Sequence, residues 1–284
     1  MTPVATLRRR LDAELVRRGL ADSRQGARQR IEAGDVIVSG ATADKPARLV
    51  SAAEPIELQG PPPRFVGRGG LKLEAALVAF GIDVSGRRAI DVGASTGGFT
   101  DCLLQHGASS VVALDVGHGQ LHERLRADDR VVVVERCNAR DLGPDRCSDA
   151  ERDALLGPAA PLVVADLSFI SLRMVAAALA ALVETGGSVV VLVKPQFEAG
   201  QAEVAPGRGV VRDPAVWERV LTEVVGDFAA VGLEFRGIVV SPVRGGSGNV
   251  EFLVHFHRLP AGAPVGPRTA VALADAVAGV PTWP

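Results

Sequence analysis

The chain has 284 residues, of which 47% are hydrophobic and 23% charged, and its formal net charge is −2. This length can bury a full α/β core and still carry a small second domain. The longest clearly apolar run, residues 174–183, has about half of the ~20 residues that a spanning helix requires. The arginine-containing N-terminus lacks the apolar segment of a secretory signal, so we expect a soluble, cytoplasmic, globular protein.

The cysteines argue against a disulfide framework and against a zinc site. There are three, Cys102, Cys137 and Cys147, and none has C-x-x-C spacing. Such an odd and sparse set is typical of cysteines that pack in a reduced interior. We therefore expect no bound metal.

Charge is distributed unevenly along the chain. Residues 1–73 contain thirteen Lys and Arg against eight Asp and Glu, a balance of +5, which leaves −7 for the remainder. Eight arginines and three acids lie within residues 1–30. This asymmetry indicates a polyanionic partner, although an ordinary solvated helix face would give the same count.

The first segment is predicted to form two short helices followed by short strands. Apolar residues recur near helical spacing at Leu7, Leu11, Leu15 and Leu20, and again at Ala27 and Ile31. Asp22 or Ser23 is the expected N-cap of the second helix, and Gly34 is expected to end it. The alternating DVIVSG that follows predicts a strand.

This segment, LDAELVRRGLADSRQGARQRIEAGDVIVSG, resembles the RNA-binding S4 domain first described in a ribosomal protein, over most of residues 6–58. The resemblance implies that arginines of the two helices contact RNA phosphates, which position RNA without reading its sequence. The implied RNA contacts are Arg8, Arg10, Arg24 and Lys45. Arg64 and Arg68 extend the basic surface past a proline-rich spacer, QGPPPRF, and are candidates as well.

The second part of the chain alternates strands and helices, as a doubly wound α/β sheet does. Apolar strand-length runs occur near residues 87–93, 109–117, 130–138, 161–169, 187–197, 236–240 and 250–257. The last two have no helix between them and predict a hairpin that closes a mostly parallel sheet. Ligands of such sheets bind beyond the carboxyl ends of the strands.

A strand, a glycine turn and a helix are predicted from AIDVGASTGGFTDCLL, residues 89–104. The pattern D-x-G-x-x-x-G-G lacks the G-x-G-x-x-G spacing that seats a pyrophosphate, and its leading acid suits a cationic ligand such as S-adenosylmethionine. A turn that needs glycine only for its geometry is the alternative. The candidate cofactor residues in this loop are Asp91, Gly93, Ala94, Ser95, Thr96, Gly97, Gly98 and Phe99.

Polar residues also follow the neighbouring strands. Asp115 ends the second strand, where a carboxylate can accept both hydrogen bonds of a ribose diol. Asn138 and Ala139 end the third strand, where the adenine would lie. Val116, beside Asp115, and Asp166 with Leu167, after the fourth strand, complete the cofactor candidates.

The residues after the fourth strand favour an oxygen acceptor for a methyl group. Asp166-Leu167-Ser168-Phe169 lacks the two prolines typical of enzymes that methylate base amines, and no cysteine nucleophile is nearby. A ribose hydroxyl needs a base, and Lys194 at a strand end is the candidate. Lys72 would supply a second positive charge, and Asp166 and Glu251 would orient the two amines. A purely structural ion-pair network is the alternative.

Taken together, FVGRGGLKLEAAL, DVGASTGGFTDCLL, ALDVGHGQL, RCNARDL, ADLSFISL, LVKPQFE and SGNVEF resemble the TlyA family, whose catalytic domain is similar to FtsJ-type 2′-O-methyltransferases. The resemblance implies a Rossmann-like fold, S-adenosylmethionine as cofactor and a Lys-Asp-Lys-Glu tetrad at Lys72, Asp166, Lys194 and Glu251. It also implies methylation of cytidine 2′-hydroxyls in ribosomal RNA of one or both ribosomal subunits.

The expected organisation is an RNA-binding domain over 1–59, a linker over 60–66, a methyltransferase domain over 67–259 and a tail over 260–284. Two positions depart from the family pattern, Gly67 in place of serine and His118 in place of tyrosine. The alternatives are a non-catalytic RNA-binding or ribosome-assembly factor and a haemolysin-like membrane-active protein. A monomer is favoured.

Overall fold

The computed structural model describes residues 8–21, 24–60, 63–205, 207–245, 247–263 and 270–281. It divides into two compact units, residues 1–67 and 68–284. The predicted helical position Leu7 and the predicted cap at Asp22 or Ser23 lie outside the described residues.

The first unit contains two helices and two small antiparallel sheets. Its elements are β1 (Arg8–Arg10), α1 (Leu11–Arg17), α2 (Arg24–Glu32), β2 (Val36–Val38), β3 (Ala41–Thr42), β4 (Leu49–Ser51) and β5 (Ile56–Leu58). β1 pairs with β4, and β2 lies between β3 and β5. The three arginines of β1 are all exposed, so their sequence carries no alternation that would predict a strand.

The helical spacing of the apolar residues produces the core of this unit. Leu11 and Leu15 of α1 are completely buried, as are Ala27 and Ile31 of α2. They belong to one apolar cluster that also includes Val36 of β2. The two helices therefore bury their apolar stripes in a common core, while Arg17, Arg24 and Arg28 are exposed.

The second unit is a seven-stranded sheet with helices. Its strands are β6 (Arg88–Val92), β7 (Ser110–Leu114), β8 (Val131–Val134), β9 (Ala160–Ala165), β10 (Val183–Val193), β11 (Leu233–Val240) and β12 (Phe252–Arg258). Its helices are α3 (Gly69–Phe80), α4 (Gly98–Gln105), α5 (Glu123–Arg126), α6 (Asp149–Leu156), α7 (Ala176–Leu182), α8 (Pro195–Glu198), α9 (Gln201–Val204), α10 (Pro214–Ala230) and α11 (Ala270–Ala278). Short 3₁₀ helices span Ala139–Leu142 and Leu172–Val175.

The strand order is β11-β12-β10-β9-β6-β7-β8. Strands β10, β9, β6, β7 and β8 are parallel to their neighbours, and β12 is antiparallel to both β10 and β11. The predicted mostly parallel, Rossmann-like sheet with a closing hairpin is confirmed.

The bounds of two strands differ from the expectation. β8 ends at Val134, earlier than predicted, and Arg136 just beyond it has a positive φ of 59° that is incompatible with a continuing strand. β10 begins at Val183, ahead of the predicted start, with a register irregularity before Ser188. The predicted tail contains α11, whose Leu273 is 1% exposed in the same apolar cluster as Phe228 of α10.

Candidate active site

The order of three adjacent strands brings three members of the predicted tetrad to one edge of the sheet. Asp166 follows β9, Lys194 follows β10, and Glu251 precedes β12. Because β12 runs antiparallel to β10, the start of β12 lies beside the end of β10, with Val193 opposite Phe252. The fourth member, Lys72, lies in the first turns of α3.

The four side chains form two ion pairs. The Lys72 ammonium donates a short hydrogen bond to Glu251 Oε2, and both residues are buried. Lys194 Nζ lies 2.6 Å from Asp166 Oδ1 and donates to Ser168 Oγ at 2.8 Å. Each amine is therefore paired with one carboxylate, and three of the four side chains, those of Lys72, Lys194 and Glu251, are buried, where unpaired charges would be costly.

Gly93 allows the predicted cofactor loop to approach the segment that carries Asp166. Its φ is +87°, and a Cβ at this position would lie 2.6 Å from the Asp166 carbonyl oxygen and 2.8 Å from Leu167 Cδ2. Gly97 caps α4 with φ +97° and leaves no room for a Cβ beside Leu121. Both glycines are needed for close contact as well as for their backbone conformation.

Asp91 lies behind the loop and does not line the cavity beside it. Its side chain is completely buried, and Oδ2 accepts a 2.6 Å hydrogen bond from Thr100 Oγ1. Within the described residues, Oδ1 has no hydrogen-bond partner. Burial raises the pKa of Asp91 to about 7, and the nearby Asp166 carboxylate acts in the same direction.

A cavity of about 510 Å³ opens at the carboxyl ends of the parallel strands. The predicted cofactor residues that line it are Gly93, Ser95, Asp115, Val116, Asn138, Ala139, Asp166 and Leu167. The size falls within the range of pockets that enclose small molecules and cofactors. Asp166 belongs both to this cavity and to the ion pair with Lys194.

Asp115 retains acceptor capacity for a ribose. Its Oδ2 accepts from the backbone N–H of Ser95 at 2.8 Å, and its Oδ1 accepts from that of Gly117 at 2.6 Å. A carboxylate has about four acceptor sites, so each oxygen can accept one further hydrogen bond. Leu114, Val116 and Ala139 give the same cavity an apolar part suited to a purine ring. The residues therefore fit an adenosyl group.

The remaining predicted loop residues do not line the cavity. These are Ala94, Thr96, Gly97, Gly98 and Phe99. Phe99 is 3% exposed and packs beside Gly69 at the start of α3, where a Cβ would lie 3.3 Å from the Phe99 ring. Phe99 thus supports the helix that carries Lys72.

Several cavity residues were not predicted from the sequence. They are Gln120, Cys137, Arg140, Ser168, Phe169, Ile170, Leu114 and Val175. Ser168 and Phe169 directly follow the predicted Asp166-Leu167 pair at a strand end. This position in the sequence could have predicted that both residues line the cavity. Burial raises the pKa of the Cys137 thiol, which disfavours the reactive thiolate.

Phe169 is an exposed aromatic residue beside the tetrad. It is 91% exposed and has a positive φ of 65°, which is uncommon for a bulky side chain. Its ring centroid lies 5.2 Å from that of Phe197, and Lys194 Nζ lies 5.8 Å from the Phe197 centroid. The strained backbone presents an apolar ring next to the candidate base.

In the first unit, Asp12 holds together three arginines. Its carboxylate is completely buried and accepts hydrogen bonds from Arg10, Arg24 and Arg28 at distances of 3.0–3.4 Å. Burial tends to raise the pKa of Asp12, but the hydrogen bonds from these arginines outweigh it and hold the pKa well below its usual range. The predicted contacts Arg10 and Arg24 are thereby fixed on one exposed surface.

The other predicted RNA contacts are also at the surface. Arg8 is exposed and pairs with Glu54 at 2.9 Å, and Lys45 is exposed. The Arg64 guanidinium lies 5.1 Å from the centroid of Phe65. Arg68, in the second unit, is exposed at the N-terminus of α3.

No helix among the described residues is both long and apolar enough to cross a membrane. Those residues also contain no cluster of three or more His, Cys, Asp or Glu side chains placed to hold a metal ion.

Two family models match this chain. The FtsJ-like methyltransferase model matches residues 65–258, and the S4 domain model matches residues 9–56. The first match includes all four tetrad positions and the whole cavity.

Individual relatives resemble nearly the whole chain. The 16S/23S rRNA (cytidine-2′-O)-methyltransferase TlyA of Mycobacterium tuberculosis is 49% identical over 87% of this chain and 89% of its own length. Hemolysin A of Brachyspira hyodysenteriae is 39% identical over 87% of this chain and 99% of its own. A solved structure from Streptococcus thermophilus, provisionally described as a hemolysin, has a TM-score of 0.74 at 38% identity and covers 96% of both chains.

Proposed function

The chain belongs to the FtsJ-like methyltransferase family and uses S-adenosylmethionine, and we propose that it methylates the 2′-hydroxyl of cytidine in ribosomal RNA of one or both ribosomal subunits. The observation that carries the proposal is the position of Asp166, which lines the cofactor cavity and pairs with Lys194 at 2.6 Å. The candidate base is therefore held by a residue that lines the cofactor cavity. The name of the Mycobacterium tuberculosis relative supports ribosomal RNA as the substrate.

Lys194 acts as the general base in this proposal. When bound, S-adenosylmethionine supplies an activated methyl group on a sulfonium, whose sulfur keeps the electron pair of the broken bond. The 2′-oxygen forms the new bond to carbon, and its proton passes to Lys194 Nζ after this group has released to solvent the proton that it carries in the ion pair with Asp166. Asp166 and Ser168, which contact Nζ at 2.6 and 2.8 Å, stabilise the ammonium that results. The proton then leaves to solvent.

Lys72 and Glu251 would position the base and the ribose. Their ion pair is buried, and its geometry is supported by Gly245, where a Cβ would collide with Glu251 Oε1. The Lys72 ammonium provides a fixed positive charge near the oxygen that loses its proton. Glu251 compensates this charge, so that the site remains desolvated without an isolated ion.

The cofactor would be held by residues of the cavity described above. Asp115 can accept from the ribose hydroxyls, while the apolar residues near Ala139 contact the adenine. Gly93 lets the backbone pass close to the cofactor. These roles are consistent with the lining of the cavity and with the remaining acceptor sites of Asp115.

Phe169 is proposed to stack on the target base. A ribose hydroxyl within a folded RNA reaches a recessed base such as Lys194 more easily when its nucleotide is turned out of the helix. The ring of Phe169 is exposed beside Lys194 and offers an apolar face on which the nucleobase of such a nucleotide can stack. Arg8, Arg10, Arg24 and Lys45 would hold the RNA through phosphates, and Arg64 and Arg68 would extend this contact.

Methyl transfer to ribosomal subunits tests the proposal directly. Purified 30S and 50S subunits from cells that lack this gene are incubated with the protein and labelled S-adenosylmethionine, and radioactivity in 16S and 23S RNA is counted separately. We expect incorporation into at least one of the two RNAs. Absence of label from both, with cofactor binding intact, would favour a non-catalytic RNA-binding factor instead.

A further inference from the structure

The loop 207–212 displays two arginines on the surface of the methyltransferase unit. Arg208 and Arg212 are both exposed. Within the described residues, neither guanidinium has a hydrogen bond or an ion pair. Arg219, one turn and a half into the following helix α10, differs because it pairs with Glu203 at 2.6 Å and Glu223 at 2.7 Å. The loop arginines thus have their donors available for a ligand.

A buried asparagine fixes the backbone of this loop. Asn249 is 1% exposed; its Oδ1 accepts from the backbone N–H of Val211 at 2.9 Å, and its Nδ2 donates to the carbonyl of Gly209 at 2.8 Å. Trp217 Nε1 donates to the Val211 carbonyl at 3.1 Å. Three side-chain hydrogen bonds therefore hold a short loop whose two arginines do not themselves contribute to its fixation.

The backbone between the two arginines is also constrained. Arg208 has φ +51° and Gly209 has φ +89°. A left-handed conformation is uncommon for arginine and costs free energy, so the surrounding contacts must enforce it. Gly207 approaches the Val210 carbonyl so closely that a Cβ would collide with it. A loop held in this way presents its charges with little entropy left to lose on binding.

The hydrogen bonds of Asn249 connect the loop to the predicted tetrad. Asn249 lies two positions before Glu251, and its own carbonyl accepts from the backbone N–H of Gly245, the glycine that contacts the Glu251 carboxylate. The same short segment therefore fixes both Glu251 and the loop 207–212. Through Asn249 the loop that carries the two arginines is joined to the segment that leads into Glu251 and β12.

We propose that Arg208 and Arg212 form a phosphate-binding contact for the RNA backbone next to the methylated nucleotide. The inference rests on the proposed function and adds an RNA contact in the methyltransferase unit to those of the S4 domain. A guanidinium presents a planar fork of donors that matches phosphate oxygens. Two such forks on an exposed loop suit consecutive phosphates of a polyanion better than one small anion.

The double variant R208Q/R212Q, with R87Q as its control, tests the contact. Arg87 is exposed and, in the described part of the chain, has no side-chain partner; it immediately precedes β6, at the opposite end of the strand from the cavity. Binding to the ribosomal subunit that the wild-type protein methylates is measured at several salt concentrations. We expect R208Q/R212Q to bind about tenfold or more weakly and to lower the salt slope by about one for each arginine. R87Q should bind as the wild type does.

Further measurements separate this inference from its premise. Incorporation of label into ribosomal RNA by the wild-type protein tests the proposed function alone. The ratio of the subunit affinity of R208Q/R212Q to that of R87Q tests the role of the loop. Calorimetric affinity for S-adenosylmethionine and the melting temperature should be unchanged in all variants, and R208K/R212K should restore most of the salt slope. Wild-type affinity and slope in R208Q/R212Q, with methylation of RNA by the wild type, would overturn the assignment.

Discussion

Val193 lies opposite Phe252 in the antiparallel ladder between β10 and β12. Lys194 follows the first of these residues and Glu251 precedes the second, so one register places a candidate base beside a carboxylate that is remote in sequence. The parallel pairing of β10 with β9 adds Asp166 on the other side. The tetrad is thus a consequence of strand order, with Lys72 added from α3.

Lys194→Arg should remove the base while keeping the positive charge. Arginine stays protonated at any physiological pH, so it cannot accept the proton of the hydroxyl. We expect kcat to fall by about 100-fold or more, while the affinity for S-adenosylmethionine, measured by calorimetry, stays close to that of the wild type. Turnover near the wild-type value would show that Lys194 is not the base.

Removing one partner of the buried Lys72–Glu251 pair should destabilise the protein. Lys72→Met leaves the Glu251 carboxylate buried without its counter-ion, which costs about 3–5 kcal/mol of unfolding free energy. Denaturant titration measures this loss.

The double variant with Lys72→Met and Glu251→Leu separates stability from activity. With both charges gone, we expect most of the stability to return, because apolar residues can replace a buried ion pair at little cost. Methyl transfer should stay low in the single and double variants alike. A double variant that regains activity would identify the pair as purely structural.

Gly93→Ala should impair the cofactor site more than a glycine replacement elsewhere. Gly86→Ala is the matched control, because Gly86 has φ +69° but nothing within 4 Å of an added Cβ. Both variants incur backbone strain of roughly 1 kcal/mol, but only the Cβ at Gly93 would displace the Asp166 carbonyl. We expect weaker cofactor binding in calorimetry for Gly93→Ala alone; equal affinities in the two variants would contradict this role of Gly93.

Much of this arrangement is readable from the sequence, for local reasons. The glycine loop, the apolar strands and the polar residues at strand ends are short-range patterns, and they located Gly93, Asp115 and Asp166 on the cavity. Burial of Asp91 was not readable in this way, because an acid at the end of an apolar run suits a ligand contact equally well. Its surroundings come from Thr100 and from the strands on both sides.

Other features depend on contacts that no local pattern reports. β1 exists because Arg8–Arg10 pair with β4, although their side chains are all exposed. The hydrogen bond from the Val211 backbone N–H to Asn249 Oδ1 joins two loops that are remote in sequence. Strand order decides which loops meet, and a list of strands does not determine that order.

Asp91 should make stability depend on pH. Its pKa is raised to about 7 by burial, so the folded protein keeps a proton that the unfolded chain, with an ordinary aspartate pKa of about 3.9, releases. This stabilisation is complete below about pH 4 and is lost as the pH rises through about 7. Asp91→Asn should remove up to about 4 kcal/mol of the decrease in unfolding free energy between pH 4 and pH 8.

Denaturant titrations at several pH values check this expectation. The exposed Asp83 offers a control, because Asp83→Asn should leave the pH profile of the wild type unchanged. Identical profiles for wild type and Asp91→Asn would mean that the Asp91 carboxyl does not bind its proton more tightly in the folded state.

Phe169→Ala should weaken recognition of the RNA without affecting the cofactor. Loss of one stacked base corresponds to about 1–3 kcal/mol, so we expect the KM for ribosomal subunits to rise about tenfold while the affinity for S-adenosylmethionine is unchanged. Phe169→Trp keeps an aromatic face and should retain most of the affinity. An alanine variant with wild-type kinetics would exclude the stacking role.

Nucleoside analysis of the methylated RNA tests the central claim most directly. Ribosomal RNA treated with the wild-type protein or with Lys194→Arg is digested to nucleosides and examined by mass spectrometry. We predict that 2′-O-methylcytidine appears with the wild type and stays at background with the variant. A methyl group on a base, or 2′-O-methylcytidine at equal levels with both proteins, would contradict the assignment of Lys194 as the base that activates a ribose hydroxyl.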